Sequence, residues 1–197
     1  MTHALELSAA YRGTALLLGD VVEADDAYTG AHSRDIVELS VRVADGLGLD
    51  ARTRHLTEFT ALLHDVGKIK VPNTIINKNG PLTPEERNII NTHTLEGERL
   101  LSRVGGLLTE VGHIVRHCHE RYDGHGYPDG LAGEDIPIVA RIVCCCDAFN
   151  AMTTTRSYSA ALTQAEARAE LLKNRGTQFD PHVVDALLIL TDGNPVS

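Results

Sequence analysis

Apolar residues recur along most of the chain every three or four positions, the period of a helix with one buried face. Residues 4–24 carry Leu5, Ala9, Leu16 and Leu17 in that rhythm, with a weakly specified start. A polar hinge from Asp25 to Arg34 leads into a second helix, whose stripe of Ile36, Val37, Val41, Val43, Ala44 and Leu47 is closed by Gly46 and Gly48. Leu56, Phe59, Leu62, Leu63 and Val66 mark a third, which runs into His64 and Asp65. Residues 69–82 then read as a loop interrupted by two prolines.

Thr83, Pro84 and Glu86 spell a capping box with proline at the first helical position, and the spacing predicts a helix carrying His93 and running out near Gly105-Gly106. A fifth core stripe is Val111, Ile114, Val115 and Cys118, with His119 and Glu120 following. Between Asp123 and Leu131 three glycines and a proline exclude regular structure and leave an ordered loop or a lid. Ile138 to Met152 buries Val139, Ile142, Val143, Cys146 and Phe149 around Asp147. Two further helices open at Thr163, with Glu166 completing a second capping box, and at Asp180-Pro181. The fold class is therefore an all-α single-domain helical bundle. Its parts are a helical segment at 1–25 packed on the core, a domain at 26–191, and a loose tail at 192–197.

Composition agrees with that class. Of the 197 residues 43% are apolar but only 4% aromatic, which favours aliphatic helix packing over a β-sandwich. A formal charge of −9 argues against a surface that tracks DNA or RNA, so an anionic substrate needs concentrated local positive charge. No signal peptide and no membrane-spanning run is visible, and the adjacent Cys144-Cys145-Cys146 do not make a disulfide framework. The expected location is the cytoplasm.

Ten histidines exceed what packing requires, and seven of them fall between His55 and His125. His64 and Asp65 are neighbours, so on a helix they point about 100° apart and cannot chelate one ion as an i, i+4 pair would. They suit two metals ~3.5–4 Å apart, the carboxylate bridging. His32, His64-Asp65, His93, His119 and Asp147 each stand at the end or buried flank of an expected helix, and helix bundles build dimetal sites from such positions. A carboxylate such as Asp147 within an apolar stripe is costly unless paired or metal-bound.

His64-Asp65-Val66-Gly67-Lys68, the stretch from His119-Glu120-Arg121 to Gly126-Tyr127-Pro128, and Ala140-Arg141-Ile142 leading to Asp147 resemble the HD-GYP subfamily of HD-domain metallophosphohydrolases. The resemblance runs from about Asp20 to Leu190. It implies a phosphodiesterase that opens cyclic di-GMP to pGpG, and in some members on to GMP, with two divalent ions (iron, manganese or zinc) activating the attacking water. Carried over, the metal ligands are His32, His64, Asp65, His93, Cys118, His119 and Asp147. Asp65 and Lys68 are catalytic, Lys68 at the scissile phosphate. Arg156, Asp26 and Tyr127 are candidate substrate contacts, and the loop from Asp123 to Leu131 is a candidate docking site for a diguanylate cyclase or other signalling protein.

Two departures matter. The family's usual pair of histidines reads Cys118-His119 here, and Tyr28 replaces a glutamate that in some members helps hold a third metal, so at most two ions are expected. A thiolate at Cys118 favours softer metals. If Cys118 only packs, the alternative is a weakened module that binds cyclic di-GMP or docks a partner. A third reading is a phosphohydrolase acting on another nucleotide.

Overall fold

The computed structural model describes residues 32–155 and 161–192, together with Gly13. Helices follow in the order α1 (His32–Gly46), α2 (Ala51–Leu63), a 3₁₀ turn (Val66–Lys70), α3 (Asn73–Ile76), α4 (Pro84–Asn91), α5 (His93–Ser102) and α6 (Leu107–Val115). A short 3₁₀ turn (Gly133–Asp135) precedes α7 (Ile138–Thr153), α8 (Gln164–Lys173) and α9 (Pro181–Leu190). Among the described residues no strand forms beyond an isolated bridge between Arg175 and Phe179, and the fold is all-α. No helix among them is long and apolar enough to cross a membrane.

α1 packs on α2, α7 and α9, and α2 also meets α6 and α7, so the core lies where Ile36, Val43, Phe59, Leu63, Val143 and Phe149 converge. Phe59 is buried among them, and truncation to alanine there costs about 3–5 kcal/mol on the usual scale of core deletions. The helix starts follow their capping residues. Asp50 accepts the Thr53 amide at 2.7 Å at the head of α2, Thr83 and Thr163 form reciprocal capping boxes with Glu86 and Glu166, and Asp180 accepts the His182 amide at 2.7 Å.

The structure corrects three expectations. The run from Thr83 to Gly105-Gly106 is two helices broken at Thr92, whose hydroxyl donates to the Ile89 carbonyl at 2.6 Å and whose amide tightens onto the same carbonyl, so that His93 opens a new helix. Val66 belongs to the 3₁₀ turn, not to the preceding helix, which ends at Leu63. Residues 69–82 are less irregular than their prolines suggest, since α3 forms within them. The helix expected over 4–24, the hinge with Asp26 and Tyr28, and Arg156 lie outside the described residues.

Candidate metal centre

The approach of two backbones fixes the site. A Cβ built on Gly67 would lie 1.8 Å from the His93 carbonyl oxygen and 2.6 Å from the Gly97 amide nitrogen. Only glycine lets the 3₁₀ turn lie this close to α5, and that closeness sets Asp65 opposite His93.

His64 and His93 use their rings in the same way. His64 Nδ1 donates to the Ala61 carbonyl at 2.8 Å and His93 Nδ1 to the Ile90 carbonyl at 2.6 Å. A carbonyl can only accept, so each bond places a proton on Nδ1, and in the neutral ring Nε2 is then the nitrogen left for a ligand bond. Those two nitrogens each lie 3.5 Å from Asp65, His64 facing Oδ2 and His93 facing Oδ1. Ligand atoms of Asp65, His93 and His119 all fall within 4.8 Å of one another. The Nε2 atoms of His64, His93 and His119 and Asp65 Oδ1 are buried without a hydrogen-bond partner. The Asp65 side chain is 27% exposed against 4% and 3% for His64 and His93, so of the three it is the one partly open to solvent.

Electrostatics prepare these groups for a cation. Burial, followed by the charge of His93, pushes His119 down to about 3, and burial lowers His93 against the pull of Asp65. Both imidazoles are thus neutral at pH 7, the state that binds metal. Burial works to raise the Asp65 carboxyl, but Lys68, then His64, His93 and His119, outweigh it and hold it well below the usual carboxylate range. Lone pairs of neutral imidazoles facing a carboxylate repel one another unless a cation lies between them. The donor set fits a divalent metal of the kind imidazole and carboxylate hold together.

The other expected residues divide. Lys68 Nζ lies 2.7 Å from Asp65 Oδ2, and Tyr127 stacks on His119 with ring centroids 5.3 Å apart. Asp147 is half-buried on α7, close enough for its charge to act on His119, Tyr127 and Cys118. Cys118 is not brought into the group. Its sulfur turns back to the Ile114 carbonyl at 3.6 Å within the hydrophobic core, and burial, followed by Cys144, pushes the thiol well above its ordinary range. His117 does not take its place, for its Nε2 lies 3.0 Å from Asp129. Of His32 the structure describes only the backbone position at the head of α1.

A family model described as HD domain matches residues 17–183. The chain belongs to the HD domain family. Its His64-Asp65 pair and Gly126-Tyr127-Pro128 loop place it in the HD-GYP subfamily. It is 42% identical over 179 residues to the cyclic di-GMP phosphodiesterase response regulator RpfG of Xanthomonas campestris, a match covering 90% of this chain and 47% of that protein. It is 37% identical over 172 residues to 3′3′-cGAMP-specific phosphodiesterase 2 of Vibrio cholerae, covering 87% of this chain and 33% of the relative. In fold it resembles the crystal structure of a cyclic GMP-AMP-specific phosphodiesterase of V. cholerae, with a TM-score of 0.69 and 19% identity over 92% of this chain and 49% of that one. The chain thus spans a third to a half of the length of these relatives.

Within this HD domain the loop after His119 is tied down by residues for which the sequence suggested no structural role. Glu120 is buried, and its Oε1 accepts the amides of Asp129 at 2.7 Å and Gly130 at 3.1 Å. Arg116 grips both oxygens of Asp129 at 2.7 and 2.8 Å while donating to Glu98 at 2.8 Å, and its bonds to Asp129, followed by that of His117, hold the Asp129 carboxyl down at about 2. A Cβ on Gly126 would lie 2.3 Å from the Arg121 amide nitrogen, so the loop lies flat on its own beginning. Arg116 and Asp129 stand thirteen positions apart, and no periodic pattern announces such a pair.

Proposed function

We propose that this HD domain hydrolyses cyclic di-GMP to pGpG at a site built on Asp65, His93 and His119. The observation that carries the reading is the set of buried, unpartnered donor atoms facing one carboxylate, with Lys68 beside it. The proposed ligand set for two divalent ions of iron, manganese or zinc is His32, His64, Asp65, His93, His119 and Asp147, with Cys118 left to packing. When bound, such ions polarise phosphoryl oxygens and lower the pKa of the attacking water.

The chain's own groups do the rest. Asp65, ionised and partly open, lies where substrate enters. Lys68 carries its charge to where negative charge grows on the phosphoryl group. The Tyr127 hydroxyl, Arg156 and Asp26 are the proposed contacts to the substrate's bases and phosphates. A signalling protein docking on the loop would meet its exposed positions, His125, Asp129 and Gly130. The chain's overall charge of −9 makes Lys68 and the metals the source of attraction for a dianion.

The test is turnover of cyclic di-GMP by Mn²⁺-loaded protein, with products resolved by chromatography and mass. Formation of pGpG, with kcat reduced about 100- to 1000-fold in Lys68→Ala, supports the reading. Binding without turnover would make the domain a receptor. The relative specific for 3′3′-cGAMP favours a second reading, in which the mixed dinucleotide is preferred, and assaying the two substrates side by side decides between them.

A further inference from the structure

Three imidazoles surround Asp65, but they are not held alike. His64 and His93 each anchor Nδ1 on the carbonyl three residues earlier, which fixes the ring plane. The His119 ring makes no hydrogen bond among the described residues, and its neighbours are aromatic. Tyr127 lies parallel to it, with 8° between planes and centroids 5.3 Å apart, and His93 stands edge-on at 4.8 Å and 71°. Metal-bound histidines ordinarily keep their orientation through a hydrogen bond on the second nitrogen, and loss of such a support weakens metal binding.

The support under Tyr127 is itself firm. Its amide donates to the His119 carbonyl at 3.2 Å, Gly126 leaves no room between the loop and residues 120–121, and Glu120 holds the amides of Asp129 and Gly130. The Tyr127 hydroxyl makes no hydrogen bond among the described residues, so what the fold uses here is the ring.

We infer that Tyr127 is a positioning residue for the metal centre, its ring taking for His119 the part that a backbone carbonyl takes for His64 and His93. The hydroxyl then remains available to substrate, which separates two functions within one side chain. The inference rests on the proposal that His119 is a metal ligand, and not on the identity of the substrate.

The experiment is titration of metal-free protein with Mn²⁺ alone by calorimetry, and with Co²⁺ followed by its visible absorption, for wild type, Tyr127→Phe, Tyr127→Leu and His119→Ala. Tyr127→Phe is expected to bind Mn²⁺ within about threefold of wild type and to give the same Co²⁺ spectrum. Tyr127→Leu is expected to bind about 10- to 100-fold more weakly with an altered spectrum. Titrations run well below each variant's unfolding midpoint keep a folding defect from being read as lost affinity. Wild-type affinity in Tyr127→Leu overturns the inference, and so does an equal loss in the phenylalanine and leucine variants, which would assign the effect to the hydroxyl. Unchanged affinity in His119→Ala would instead remove His119 as a ligand and overturn the underlying reading first. In turnover, Tyr127→Phe is expected to raise KM with kcat nearly preserved, whereas Tyr127→Leu lowers kcat.

Discussion

His93 Nε2 stands 3.5 Å from Asp65 Oδ1, both atoms buried and neither hydrogen-bonded. Since the His93 proton is committed to the Ile90 carbonyl, the pair has nothing to share except a cation. Asp65→Asn should therefore keep the helical content of the protein and lose Mn²⁺ affinity by more than about 100-fold, more than an outer-sphere substitution costs. Calorimetry and far-ultraviolet circular dichroism check both halves, and retained affinity would move the metal elsewhere.

The depressed basicity of His119 gives a pH dependence with a definite sign. Unfolded, this imidazole takes up a proton near its ordinary value of 6.5, but in the folded protein only near about 3. Between those values the unfolded chain binds the extra proton, so stability is greatest above pH 6.5 and falls as pH drops toward 3. Urea titrations of chelator-treated protein at a series of pH values should show this slope, and His119→Gln should flatten it. A wild-type profile already flat between pH 7 and 5 would contradict the assignment.

Cys118 lies in the core with its sulfur on the Ile114 carbonyl. Cys118→Ala should cost about 1 kcal/mol from lost burial and leave the number of bound metals unchanged. Elemental analysis of anaerobically purified variant and wild type makes the comparison. Loss of one ion per chain in the variant would show that the thiol swings onto the metal.

Gly67 and Gly126 are closed to any side chain, one against the His93 carbonyl and the other against the Arg121 amide. In both cases the obstacle is backbone, which cannot swing aside as a flexible side chain does. Gly67→Ala and Gly126→Ala should each destabilise by about 3 kcal/mol, at the upper end for overpacked sites. Gly13→Ala, at a helical position with nothing within 4 Å, is the control, expected to lose no stability and to gain up to about 1 kcal/mol from helix propensity.

The local devices of this fold were written in the sequence because each acts over three or four residues. The Thr83 and Thr163 capping boxes, the Asp180 cap and the apolar stripe of α7 all form where spacing places them. The break at Thr92 escaped, since a threonine within a strong helical pattern gives no warning that its hydroxyl will take up the Ile89 carbonyl. That His64, Asp65, His93 and His119 come together was legible through residue type and motif. The direction of the Cys118 sulfur was not, nor was the stacking of Tyr127 on His119, because both depend on the path of the chain through a loop. Glu120 stood in the motif without a role for the same reason, an acidic residue that becomes buried by the loop closing over it.

The Tyr122 amide donates to the Gln178 carbonyl at 3.2 Å and the Asp123 amide to the Thr177 carbonyl at 2.8 Å. The connection between α8 and α9, far along the chain from any expected ligand, is thereby sewn to the loop that carries Tyr127. Amide exchange of the two segments should accordingly rise and fall together, as one cooperative unit of the fold. Shortening the chain before Thr177 would remove no ligand, yet it would leave the loop over His119 without its outer seam.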